Sequence, residues 1–231
     1  SVSAPTRGTR MRQRGTIHDG AFADSIAVPQ QNLHLVPDPL PDEVAVFTEP
    51  VAAAFQIPAQ LTISRDDRVI VLGDGRLGNL CAQVLATLSD HVLVVGKHES
   101  KLALLGSMGI ETARLSDTLP VRAADIVVDC TGSESGLPTA LRLVRPRGTI
   151  VLKTTVAGTQ TLAWAPFVID EITLVGSRCG PFDQALAALE QGRVDVRPLI
   201  SERLPLSDGL TALERAQTRG VLKVLIDVDT P

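Results

Sequence analysis

The chain has 231 residues, 44% of them hydrophobic and 21% charged, which is enough to bury a sizeable core as one large domain or two smaller ones and too apolar for a disordered chain. Its formal net charge of −4, with acids and bases nearly balanced, implies no extended basic face and argues against a nucleic-acid or anionic-membrane partner. No apolar run reaches the ~18 residues that span a bilayer, and Cys81, Cys130 and Cys179, odd in number and far apart, suit reduced thiols in the cytoplasm and make no metal pattern.

Residues 1–18 carry Arg7, Arg10, Arg12 and Arg14 among small polar residues and no acid. An organelle transit peptide has that composition too, but the apolar face is missing, so an extended surface arm or a segment cut from something larger is expected. Residues 20–29 and 33–37 read as short strands punctuated by proline, as in a small antiparallel sheet or barrel. Asp42 and Glu43, after Pro41, open a helical register, and Glu49-Pro50 starts another helix with proline in its first turn. The composition changes here, which places a boundary near residue 49.

The stretch from Arg68 to Leu85 reads as buried strand, glycine turn and helix without a break. Val69 to Leu72 suit a parallel strand covered on both faces, and Leu77, Leu80, Cys81, Val84 and Leu85 recur at helical spacing. Between them Gly73 permits the tight turn, Gly75 lets the backbone approach a pyrophosphate, and Gly78 lets the helix lie close to the strand. The free N–H groups around Arg76 and Leu77 would then face phosphates. An ordinary strand-to-helix turn is the plainer alternative.

Residues 91–96 form a second buried strand and 101–108 a helix ended by Gly109. Residues 123–132 give a strand, 137–144 a helix, 149–153 and 169–175 two more strands, and 182–191 a helix. This alternation, from roughly 66 to 194, predicts an α/β fold: a doubly wound parallel sheet of Rossmann type, with its ligand over the carboxyl ends of the strands. Residues 198–206 are strand-like again, 206–218 helical, and 222–228 a last strand. The expected organisation is a partial barrel-like domain at 1–48, a dinucleotide-binding domain at 49–195, and a return to the first domain at 196–231.

Where an NAD enzyme usually carries Asp or Glu, at the end of the second strand, this chain has Gly96, followed by Lys97, His98 and Lys101. Positive charge without the carboxylate favours NADP over NAD, unless these lysines are simply solvated; Glu99 counts against it. The other strand ends bring Cys130, Thr131 and Gly132, then Lys153, Thr154 and Thr155, then Ser177, Arg178 and Cys179 to the edge where a cofactor would lie. Tight turns select the same small residues. His18, His34 and His91 are read as structural.

Taken together, Gly20-Ala21-Phe22-Ala23, Val28-Pro29 with Asn32-Leu33 and Val36-Pro37, Phe47-Thr48-Glu49-Pro50, the glycine turn, Lys101-Leu102, Gly176-Ser177-Arg178 and Leu222-Lys223-Val224-Leu225 resemble the zinc-dependent medium-chain alcohol and polyol dehydrogenases over residues ~17 to 228. The resemblance implies a barrel-like catalytic domain around a nucleotide domain, and hydride transfer between NAD(P) and a secondary alcohol or ketone with zinc assisting. It implies nicotinamide and ribose contacts at the strand ends, a phosphate contact for Lys223, which is equally readable as a surface lysine, and a zinc-ligand position at Glu49, which is otherwise a helix-start carboxylate. The family's catalytic cysteine, its adjacent His-Glu pair and its four-cysteine lobe have no counterpart in this sequence, which looks like the last two-thirds of the pattern. A catalytically incomplete NAD(P)-binding module or subunit is therefore the second reading. Subunits of the family pair through the apolar stretch at 159–175, so a homodimer or higher is expected, unless residues 156–161 cover that edge.

Overall fold

The computed structural model describes residues 27–156 and 161–228, and the expectations for residues 1–26 lie outside them. Residues 27–41 are irregular apart from a single 3-10 turn at Gln30–Asn32. The strand expected at 33–37 is absent: Leu33 and Leu35 are exposed, and no described strand lies beside them to accept a ladder. Alternating apolar residues without a partner do not make a strand. Helices α1 (Asp42–Ala45) and α2 (Thr48–Gln60) follow, and Pro50 sits in the first turn of α2, where its missing N–H removes no helical bond.

The nucleotide fold then unrolls as β1 (Arg68–Leu72), α3 (Arg76–Ala86), β2 (His91–Gly96), α4 (Glu99–Ser107), β3 (Glu111–Arg114), β4 (Ala124–Asp129), α5 (Gly136–Leu143), β5 (Val144–Leu152), α6 (Ala165–Ile169), β6 (Thr173–Gly176) and α7 (Phe182–Glu190). All six strands are parallel, in the order β3-β2-β1-β4-β5-β6. The order reverses between β1 and β4, and a ligand crevice opens at such a switch point, outside the carboxyl ends of the strands.

Two differences from the sequence reading have physical causes. Strand β3 lies outside the expected elements, because Glu-Thr-Ala-Arg carries no apolar run; among the described residues it is an edge strand paired only with β2, and it is largely exposed. The strand expected to begin at residue 169 begins at Thr173 instead, since Trp164 and Pro166 start the short helix α6, and Glu171, at φ 50, turns the chain into β6.

Both faces of the sheet are covered. One core joins Val69, Val71, Val94 and Val128 to α2, α3 and α7 and takes in Leu40, Val44, Phe47, Val196 and Leu199; the other joins Ile70, Leu72, Val127 and Ile150 to α5. Beyond α7, β7 (Ile200–Pro205), α8 (Gly209–Ala216) and β8 (Lys223–Asp227) make a separate two-stranded parallel ribbon. Arg203 pairs with Asp227 across that ribbon and reaches Glu43 of α1.

Candidate functional site

The turn between β1 and α3 has the backbone its glycines require. Gly73 lies at φ +110, and a Cβ there would stand 2.8 Å from the Cys130 carbonyl oxygen; one at Gly78 would overlap the carbonyl of Gly73. These two glycines set the closeness of turn, β4 and α3. Gly75 differs: its φ is −75 and nothing lies within 4 Å of a Cβ built on it. It is the N-cap of α3 without a side-chain cap, so the first N–H groups of the helix, around Arg76 and Leu77, stay open toward the strand ends. An open helix start of this kind can cradle phosphate.

Beside the turn is a cavity of about 340 Å³ between the ends of β1, β2 and β4. It gathers Gly73, Gly75, Gly96, Lys97, His98, Lys101, Cys130 and Thr131 from the sequence candidates, and adds Asp74, Leu115, Ser133, Ser135 and Thr139. Asp74 is the main omission. Its carboxylate is buried (7% exposed), accepts the Lys97 N–H at 2.7 Å and the His98 N–H at 2.6 Å, and lies 3.0 Å from His98 Nδ1. Burial alone would raise its pKa, but the hydrogen bonds from the His98 ring and the two backbone amides together hold it below the ordinary carboxylate value. The signal was inside the motif itself, in the residue between the first two glycines. Glu99 pairs with Arg114 and so is engaged away from Lys97 and Lys101.

The remaining candidates lie along the strand ends outside this cavity, and several use their polar atoms internally. The buried carboxylate of Asp129 accepts from the Thr131 N–H (2.9 Å), the Thr131 hydroxyl (2.7 Å) and the Thr154 hydroxyl (3.1 Å), while Thr154 Oγ1 accepts the Gly132 N–H at 3.0 Å. The Lys153 ammonium donates to Ala53 O (2.5 Å), Arg178 O (3.1 Å) and the Ser177 hydroxyl (3.2 Å), joining α2 to the ends of β5 and β6. Burial pushes its pKa down. Cys130 Sγ lies 3.9 Å from Cys81 Sγ, and that contact and burial push its thiol well up, which makes it a packing group rather than a nucleophile. Thr155 is exposed and Cys179 half-buried.

On the other side of the turn, Arg76 donates to Leu222 O at 3.1 Å, and the Lys223 ammonium stands 5.6 Å over the Phe47 ring. Burial and then the charge of Arg76 lower the Lys223 pKa, so two cations crowd the mouth of the glycine turn. Glu49, exposed in the first turn of α2, acts electrostatically on both Lys153 and Lys223. Among the described residues no three His, Cys, Asp or Glu side chains come together to hold a metal. A catalytic zinc needs about three protein ligands, so these residues do not fit one. Nor is any described helix long and apolar enough to cross a membrane. His34 hydrogen-bonds Asp183 at 2.8 Å and packs on Phe182, the satisfied structural histidine that was expected, though outside a strand.

A 3-2-1-4-5-6 parallel sheet, an uncapped helix behind a glycine turn and a cavity at the switch point define a Rossmann dinucleotide-binding fold. The chain is similar to the medium-chain dehydrogenases: the family model described as zinc-binding dehydrogenase matches residues 77–191. It is 25% identical over 228 residues to a sorbitol dehydrogenase of Halalkalibacterium halodurans, covering 92% of this chain and 66% of that protein. It is also 25% identical to a D-arabitol-phosphate dehydrogenase of Enterococcus avium, covering 92% and 65%. The chain thus spans slightly under two thirds of the length of these curated relatives. A zinc-binding dehydrogenase of Sinorhizobium meliloti, solved with NADP bound, superposes with a TM-score of 0.85 at 23% identity, over 94% of this chain and 68% of that one.

Proposed function

We propose that the chain binds a nicotinamide dinucleotide along the carboxyl ends of its strands, NADP in preference to NAD, and serves an oxidoreductase acting on a secondary alcohol or its ketone. The observation that carries this is the open start of α3 beside a cavity whose far end presents Lys97 and Lys101. The bound nicotinamide supplies a hydride acceptor or donor. The protein's own part is to seat the pyrophosphate on the N–H groups after Gly75, with Arg76 and Lys223 beside it, and the adenosine end in the cavity. The strand ends at 130–132, 153–155 and 177–179 would border the nicotinamide half. Relatives named for sorbitol, D-arabitol phosphate and D-xylulose support a small hydroxylated substrate.

In this reading residues 1–48 and 196–231 belong to the substrate-binding part and 49–195 to the cofactor part, and the Arg203–Glu43 pair supports contact between the two ends. We further infer a cytoplasmic protein, from its odd set of free cysteines. Glu49 stands as an inherited zinc-ligand position, complete only with ligands from outside the described residues. That shortfall favours a second reading, a cofactor-binding module or subunit without catalysis of its own.

Dissociation constants for NADPH and NADH, with the wild type and Lys97→Ala, test the cofactor reading. NADPH should bind more tightly, and the mutant should lose roughly tenfold of that affinity. An NADH preference, or unchanged NADPH affinity in the mutant, refutes it. A zinc assay on the same preparation separates the two readings, since a module binds cofactor and holds no stoichiometric metal.

A further inference from the structure

Position 96 and Asp74 compete for one space. A Cβ built on Gly96 would stand 2.5 Å from Asp74 Oδ2 and 2.6 Å from Asp74 Cβ. The second atom is no free end of a flexible chain, so a side chain at 96 requires Asp74 to leave its seat. The missing carboxylate at the end of β2 is therefore not simply missing; its room is taken by a carboxylate from the glycine turn.

In that seat the carboxylate is engaged by the turn after β2. Oδ2 receives the backbone N–H groups of Lys97 and His98, and the His98 ring lies 3.0 Å and 3.1 Å from the two oxygens. A carboxylate so engaged braces the turn after β2, with Oδ2 taken by two backbone N–H groups. The turn it braces carries Lys97 into the wall of the cavity, with Lys101 one helical turn beyond, while Glu99 is drawn off by Arg114.

We propose that Asp74 sets the cofactor choice of this site as a positioning residue: by bracing the turn at 96–98 it holds Lys97 and Lys101 around a 2′-phosphate. This rests on the dinucleotide reading above. Contacts to a 2′-phosphate are charge-assisted and depend on where the turn stands, whereas the pyrophosphate seat behind Gly75 serves NADH and NADPH alike. Loss of the brace therefore acts on the difference between the two cofactors.

The test uses the full chain, with NADPH and NADH titrated against the wild type, Asp74→Ala, Asp74→Asn, Gly96→Ala and the double variant Asp74→Ala/Gly96→Ala, each checked by thermal unfolding. Asp74→Ala should weaken NADPH about tenfold and NADH much less. Asp74→Asn, whose amide oxygen still accepts from the turn, should recover most of the loss. Gly96→Ala should reproduce Asp74→Ala, and the double variant should be no weaker than either single one, because both remove the same brace. Equal loss for the two cofactors in Asp74→Ala overturns the proposal. So does a larger loss for NADH, which would mark Asp74 as a ribose-binding acid. If Asp74→Ala does not fold, the NADPH-to-NADH ratio in Gly96→Ala decides in its place. A wild type that binds neither dinucleotide overturns the reading of the site itself, an outcome distinct from an unchanged ratio in the variants.

Discussion

The three glycines of the turn carry different burdens. Gly73 and Gly78 are fixed by contacts with Cys130 and with each other, so a side chain at either disturbs the packing of β1, β4 and α3. Gly75 has open space around it and a backbone any residue adopts. Gly75→Val should therefore leave the far-ultraviolet circular dichroism unchanged while abolishing NADPH binding, because the new side chain fills only the approach to the helix start. Unchanged affinity would mean the turn is structural alone. Lys153 shows the opposite lesson: a lysine at a strand end looks like a cofactor contact in sequence, yet its ammonium is spent on Ala53, Ser177 and Arg178.

Among the elements, the strands buried on both faces were legible to within a few residues, since β1, β2 and the core of β4 are continuous runs of Val, Ile and Leu. What escaped was whatever another element decides. Strand β3 exists because β2 offers it an edge, and residues 33–37 are not a strand because no described strand offers them one. In the same way the sequence pointed to the glycines and to Lys97, but not to Asp74, whose role depends on the approach of β2. Asp125 ties three strands at their amino ends: it accepts the Arg68 N–H at 2.8 Å and Arg145 Nε at 2.6 Å. Burial alone would raise its pKa, but these partners hold it below the ordinary carboxylate value. Such a depressed group contributes stability that is present above the unfolded pKa and lost as pH falls through the folded one. Asp125→Ala should cost roughly 1–3 kcal/mol in urea unfolding at pH 7, and its deficit against the wild type should shrink as the pH is lowered below about 4. A deficit that persists undiminished in acid would assign the loss to packing.

At the scale of the molecule, the sheet ends on β6, which pairs only with β5 among the described residues, and beside it Trp164, just before α6, and Val168 and Ile169 within it are exposed. Ile172, by contrast, lies in the core. An edge unpaired among the described residues, next to exposed apolar side chains, supports self-association of the chain. Light scattering at several concentrations should find at least a dimer, and Leu174→Lys or Ile169→Lys should lower the mass toward one chain. A monodisperse wild-type monomer would remove the prediction.

The cations at the cavity belong to a protein whose formal net charge is −4. A polyphosphate approaching from a distance meets mild repulsion, and the pull of Lys97 and Lys101 reaches it only within about 8 Å at physiological salt. Raising the ionic strength should then shorten how long a cofactor stays without slowing its arrival, because salt screens the long-range repulsion too. On the proposed reading the site would retain phosphate that has already come close and do little to gather it from solution.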